Sequence, residues 1–314
     1  MGPDGARDRG RVCERWMTPP RVLVLGGAGM LGHKVYQVLH EGCDVYATVR
    51  RFDDRIRKTG VFDSDRIVDG VDAWDLRSVR RAIVEIRPGW IVNCIGLIKQ
   101  LDDASSAKAS VYLNALFPHL VCECSAEVGA RVIHISTDCV FSGKRGDYSE
   151  EDPSDAVDMY GKAKYLGEVA YDNALTIRTS IVGRDLFRDI SLIDWFLSQA
   201  GKHVKGYTKA IYTGFSTEAL AKEMWRLMRE HPRIHGLYHV SSKKITKFEL
   251  LTLVNDAFNN GSTIEPFDAV LCDRSLRSDR YRRDTGFTPP SWQDMVAAMA
   301  QDPTPYERYR GGSD

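Results

Sequence analysis

Residues 22–32 read VLVLGGAGMLG, and the run 33–42 that follows reads HKVYQVLHEG. An apolar run, a glycine-rich turn and an amphipathic stretch in that order form the strand–turn–helix unit that binds a dinucleotide. Gly26 and Gly29 let the backbone turn and approach a pyrophosphate, and Gly32 is expected to bring the helix close to the sheet. Free N–H groups at the helix N-terminus then face the phosphates. The spacing G-x-x-G-x-x-G also suits a purely structural turn; its place after a strand, at the start of the folded region, favours the binding role.

The chain continues in the same rhythm. A second strand, 44–49, ends at Arg50-Arg51, and guanidinium groups at that strand end accommodate a 2′-phosphate where an acidic residue would hold a ribose hydroxyl. NADP(H) is therefore expected over NAD(H), unless a longer strand brings Asp53 or Asp54 to its end. Ile67-Val68 reads as a third strand, with a helix opening at Asp75-Leu76. A fourth strand, 90–94, ends in Asn93-Cys94-Ile95-Gly96, and the loop beyond carries Lys99, Gln100 and Asp102. Residues 105–128 have a long helical period that Pro118 should kink, and Asn114 within it is either a satisfied core amide or part of the site. A fifth strand, 131–135, leads to Ser136-Thr137-Asp138, and a sixth spans 175–182.

Apolar strands alternating with helices imply a parallel sheet covered on both faces, a Rossmann-type doubly wound α/β fold with its ligand at the carboxyl ends of the strands. Those ends carry Gly26, Arg50, Asn93, Thr137 and Ser180. Beyond Gly183 the alternation lapses into a smaller mixed α/β unit, with an Arg-rich stretch at 272–283, CDRSLRSDRYRR, suited to phosphate or equally to a solvated loop. The expected division is a disordered leader at 1–20, in which Met17 is an alternative start; a cofactor domain at 21–182 to which 208–242 return; and a substrate domain from 183–207 and 243–314.

Composition narrows the function. The 43 basic and 43 acidic side chains cancel, so no global field draws nucleic acid or an anionic membrane, and no apolar run approaches the ~20 residues of a bilayer span. Seven scattered cysteines suit a reducing compartment, hence a cytoplasmic location, with Cys122 and Cys124 as packing residues of a helix. No metal site is expected.

Residues 158–168, DMYGKAKYLGE, carry the chemistry. On a helix Tyr160 and Lys164 lie one turn apart on one face. The ammonium is expected to pull the phenol down from its usual value of about 10 and so fit it for proton exchange. Taken alone, the same pair also fits a solvated helix surface.

GGAGMLG, STDCVFSG (136–143), YGKAK and IRTSIVG together resemble the extended short-chain dehydrogenase/reductases, and within them the dTDP-4-dehydrorhamnose reductases and related nucleotide-sugar reductases, over 21–300. The resemblance implies Tyr160 as proton donor, Lys164 as its modulator and a ribose ligand, and Thr137 as the hydroxyl that holds the substrate carbonyl. It implies a cofactor site of Gly26, Gly29, Met30, Leu31, Gly32, Arg50 and Arg51, completed by Asp75, Leu76, Asn93, Ile95, Gly96, Tyr160, Lys164 and Ser180. The expected substrate contacts are Lys99, Thr137, Asp138, Arg178, Lys205 and Arg274.

The implied reaction is NADPH-dependent reduction of a nucleotide-linked 4-keto-6-deoxyhexose, with a homodimer left open. The loop IGLIKQLDD (95–103) departs from the family's Ala/Thr-rich pattern, which leaves an acetamido sugar open. Epimerases and dehydratases share the scaffold, although Cys139 stands where the comparable dehydratases have Glu. The fold also resembles the regulatory subunit of methionine adenosyltransferase, a binding protein without turnover.

Overall fold

The computed structural model describes residues 20–97 and 106–306. Strands β1 (Arg21–Leu25), β2 (Asp44–Thr48), β3 (Ile67–Val68), β4 (Trp90–Asn93), β5 (Arg131–Thr137) and β6 (Ala174–Thr179) join a later strand, Gly236–His239, in one seven-stranded sheet. Its order is Gly236–His239, β6, β5, β4, β1, β2, β3, and every neighbouring pair runs parallel. Side chains alternate across a strand, so β1 feeds two cores. Val22 and Val24 pack with Val35, Leu39, Leu220 and Met224 on one face, while Leu23 and Leu25 pack with Val79, Ile83, Phe117 and Val121 on the other. Both faces are thereby closed, which is why β1 reads as an unbroken apolar run.

The strand order reverses at β1, which lies between β4 and β2. In sheets of this kind the crevice outside such a reversal receives the ligand. The turn at Gly26 sits there.

After β6 the chain visits smaller sheets. Ile181–Val182 pairs with Phe215–Ser216, His203–Tyr207 with Thr263–Phe267, and Ala210–Tyr212 with both Ile245–Thr246 and Cys272–Asp273. Ala210–Tyr212 thus belongs to a small sheet, whereas the helix Thr217–Glu230 packs on Gly32–His40 and leads into the edge strand of the large sheet. Ser216 caps that helix, and Thr246 with Glu249 forms a capping box.

The stretch expected as one kinked helix is three pieces: Ala107–Ser110, a π-helical Val111–Leu116, and Phe117–Ala126 with Pro118 in its first turn. The wider π turn tolerates the donor that proline lacks, so the irregularity precedes Pro118. Cys122 and Cys124 are buried on the last piece. Among the described residues no helix is long and apolar enough to cross a membrane.

Candidate active site

The glycine turn is built against the ends of β2 and β4. Gly26 has φ +80°, a conformation side chains rarely adopt, and its N–H donates to the Thr48 hydroxyl at 3.1 Å. A Cβ on Gly26 would lie 2.8 Å from Cγ1 of Ile95, so the end of β4 abuts the turn. Asn93 shapes that end: its Oδ1 accepts from Ile95 N at 3.1 Å and its amide meets His134 Nδ1 at 3.2 Å. Gly29 is exposed, and a Cβ there would lie 3.4 Å from Gly26 O.

Gly32 differs from its expected role. A Cβ there would meet Gly26 O at 2.1 Å, so this glycine closes the helix onto its own turn and not onto the sheet. Met30 is half-buried, while Leu31 is a core side chain that offers the site only its backbone.

Arg50 and Arg51 are exposed just past the end of β2. Asp53, the carboxylate that would argue for a ribose hydroxyl, instead caps the helix Asp54–Arg57 by accepting from Ile56 N at 3.1 Å. Asp75 likewise belongs to its own helix, as its N-cap and the ion-pair partner of Arg77, and Leu76 packs against the core. These local roles account for both residues.

At the end of β5, the Thr137 hydroxyl accepts from Cys139 N at 3.1 Å and donates to Asp138 Oδ1 at 3.3 Å. It also lies near enough to the Tyr160 phenol to lower that group's pKa. The helix carrying that phenol, Met159–Leu166, starts at Asp158, whose carboxylate accepts from Gly161 N at 2.8 Å. Gly161 is required between Tyr160 and Lys164 because a Cβ there would lie 2.4 Å from Cys139 O. Gly161→Ala should therefore push the helix away from the turn at 138–140, costing about 1–3 kcal/mol as overpacking does, readable as a lower urea midpoint.

The electrostatics correct one expectation. Tyr160 is raised above the usual phenol value, first by burial and then by Cys139, Asp138 and Asp158, with the Thr137 hydrogen bond pulling the other way. The protein's own groups hold the phenol protonated. Lys164 is buried, donates from Nζ to Ile135 O at 2.6 Å, and is pushed down to about 8 by burial, opposed by Glu168. Nζ lies 4.0 Å from the position a Cβ on Gly96 would take, which places the ammonium under the loop after β4. Asn114 holds that loop, accepting from Leu97 N at 2.9 Å and donating to Leu97 O at 3.3 Å, so it is a satisfied core amide.

On the other side of Thr137, the buried Asp138 carboxyl is raised by burial while Arg274, Cys139, Thr137 and Ser180 pull it back. Arg274 itself donates from Nε to Phe141 O at 2.9 Å. Tyr212, which no sequence pattern marked, brings a buried phenol with no hydrogen-bond partner among the described residues close enough to feel the Asp138 charge.

One expected substrate contact, Arg178, is taken up inside the protein. Arg178 is 2% exposed and bound to Glu168 through Nε and Nη2, at 2.8 and 2.5 Å, so it is an internal ion pair. Lys205 is exposed on a small sheet with Nζ 4.4 Å from the Phe267 ring. Lys99, Gln100 and Asp102 lie outside the described residues.

Most of the Arg-rich stretch is engaged elsewhere: Arg277 pairs with Asp279, Arg283 with Asp284, Arg280 stacks over Tyr238, and Arg282 donates to Ser241 O. A cavity of about 400 Å³ opens beside the helix Thr217–Glu230, lined by Lys222, Phe287 and Met295 but by none of Thr137, Tyr160 and Lys164. Among the described residues no group of three His, Cys, Asp or Glu side chains is placed to hold a metal ion.

A parallel sheet with a glycine turn at its switch point, and a Tyr and Lys one turn apart facing the next strand ends, define an NAD(P)-dependent oxidoreductase of the extended short-chain dehydrogenase/reductase type. Residues 20–304 match the model of the RmlD substrate binding domain, and the chain belongs to that family. It is 26% identical over 307 residues to the spore coat polysaccharide biosynthesis protein SpsK of Bacillus subtilis (strain 168), covering 90% of this chain and 97% of that protein. It is 28% identical over 244 residues to a probable dTDP-4,6-dihydroxy-2-methyloxan-3-one 4-ketoreductase of Streptomyces antibioticus, covering 71% of each. Among solved structures, a dTDP-4-dehydrorhamnose reductase of Bacillus anthracis in complex with NADP superposes with a TM-score of 0.73 at 21% identity, over 90% of this chain and 99% of that one.

Proposed function

We propose that the chain uses NADPH to reduce the 4-keto group of a nucleotide-linked 4-keto-6-deoxyhexose to the 4-hydroxy sugar. The observation that carries this reading is that the Thr137 hydroxyl at the end of β5 lies near enough to lower the Tyr160 phenol's pKa, with Lys164 one turn along the same helix. In this reading the two O–H groups, from different elements, are offered to one carbonyl oxygen. The names of the relatives support the substrate class: one is a 4-ketoreductase of a dTDP-sugar and another a dTDP-4-dehydrorhamnose reductase.

Bound NADPH supplies the hydride to the carbonyl carbon. As charge grows on the oxygen, Tyr160 releases its phenolic proton to it, giving the alcohol. Thr137 turns from its long contact with Asp138 to donate to the same oxygen, stabilising charge that exists only in the transition state. Arg274 and Asp138 face the sugar side. The exposed Gly29 admits the pyrophosphate, Ile95 and Gly96 wall the nicotinamide ribose, and the Lys164 ammonium donates to the ribose hydroxyls.

The purified protein should consume the reduced nicotinamide absorbance only with a matching 4-keto nucleotide sugar from a panel varied in base and in the C2 group. Product formed without net cofactor consumption would point to epimerase or dehydratase chemistry instead. Silence across the panel, with tight NADPH binding, would point to a binding subunit.

Lys164 gives a pH dependence of known sign. Its value of about 8 means the ammonium is present below that pH and lost above it. NADPH affinity should hold from pH 6 to 7.5 and then fall by up to about tenfold per unit above 8, measured by nicotinamide fluorescence titration; a flat profile to pH 9.5 would remove Lys164 from the ribose.

A further inference from the structure

Two residues that follow one another on β5 are gripped from the same helix end. Ile135 O accepts from Lys164 Nζ at 2.6 Å, and the Ser136 hydroxyl donates to Glu168 Oε1, also at 2.6 Å. The next residue is Thr137. Glu168 lies just past the helix Met159–Leu166, its side chain 6% exposed, and both its oxygens are bound by Arg178, which stands opposite Ser136 on β6. Arg178 in turn meets His239 Nε2 at 2.8 Å, and the His239 N–H donates to Glu150 at 2.8 Å, so the network runs on to the segment that precedes the Tyr160 helix.

An ion pair this deep repays its desolvation poorly, and apolar residues of similar size usually serve stability as well. Its placement directly behind Lys164 and Thr137 gives it a second use. Resting on the reading of Lys164 as the ribose ligand, we infer that Glu168 is a positioning residue: it fixes Ser136, and with it the Ile135 carbonyl and Thr137, against the helix, and its negative charge keeps the buried Lys164 ammonium protonated at the pH at which it must hold the cofactor.

The groups around Lys164 leave Glu168 as the source of that charge. The Cys94 thiol at the end of β4 is pushed up to about 12 by burial and stays neutral, and His134 on β5 is held well below its ordinary value, first by burial and then by Lys164 itself. Asn114, which faces the same loop, does not titrate. Glu168 is the group whose charge raises Lys164 against its burial.

The test is the pH profile of NADPH affinity, followed by fluorescence for the full chain. Glu168→Gln keeps the shape and removes the charge, so the alkaline limb near pH 8 should move down by about one unit, a loss of about tenfold in affinity at pH 8.5. Because Glu168→Gln leaves Arg178 buried without its partner, the paired variant Glu168→Gln/Arg178→Gln is measured beside it, with a thermal melt to establish folding. Because it loses a positive charge together with the negative one, its limb should move down by less than that of Glu168→Gln, whereas Glu168→Asp should return the limb toward that of the unsubstituted protein. A limb left at its original pH in folded Glu168→Gln makes the pair a structural brace only and overturns the inference, while the reading of Lys164 stands. Absence of any limb in the unsubstituted protein overturns both.

Discussion

Tyr160→Phe is expected to lower turnover of a keto sugar by about 10²–10⁴-fold, the usual worth of a positioned general acid, with little change in NADPH affinity. The phenol and hydroxyl geometry makes the effect specific. Phe keeps the ring in its half-buried place on the helix Met159–Leu166 but cannot release a proton, and the Thr137 hydroxyl retains Cys139 N and Asp138 as partners. The companion Thr137→Val should cost about 10²–10³-fold, as loss of one donor to the developing oxyanion does. Because burial raises the phenol, Tyr160 stays protonated across neutral pH, the form a reductase needs. Its own titration should not limit the rate below pH 9, and any alkaline fall in kcat/KM near pH 8 belongs to Lys164. Steady-state kinetics from pH 6 to 9.5, with cofactor dissociation constants for each variant, decide the matter; near-wild-type turnover by Tyr160→Phe would show that another group donates the proton.

What could be read from the sequence was local. The glycine turn and the spacing of Tyr160 and Lys164 both depend on residues within a few positions of one another, and the structure places them near the strand ends of one sheet. What escaped was set by pairing across strands. Arg178 looks like a free guanidinium at a strand end until β6 is laid beside β5 and Glu168 comes round from the helix to meet it. The sign of the Tyr160 shift was hidden for a related reason: the i, i+4 spacing counts the ammonium, while burial and the neighbouring Cys139 and Asp138 come from the tertiary fold. Tyr212 had no signal at all, because a phenol on a short strand of a small sheet acquires meaning only from the Asp138 it faces.

Arg50→Ala combined with Arg51→Ala is expected to weaken NADPH by about a hundredfold, the worth of two charge-assisted contacts reduced by solvent screening, while NADH changes little. β2 stops short of both arginines. It ends at Thr48, so both guanidinium groups stand just beyond the strand, and the nearest following carboxylate, Asp53, is turned away to cap its own helix. A 2′-phosphate offers planar guanidinium groups a paired acceptor that a ribose hydroxyl does not, and Lys in their place should recover only part of the loss, since a point charge lacks the fork. The contacts are exposed, so the preference for NADPH should also shrink as ionic strength rises from about 0.05 to 0.5 M and the Debye length contracts well below 10 Å. Dissociation constants for both cofactors at two salt concentrations test the two claims together. Equal losses for NADH and NADPH in the double variant would show that these arginines shape the β2 end without reading the phosphate, and the choice of cofactor would then lie elsewhere on the adenosine side of the glycine turn.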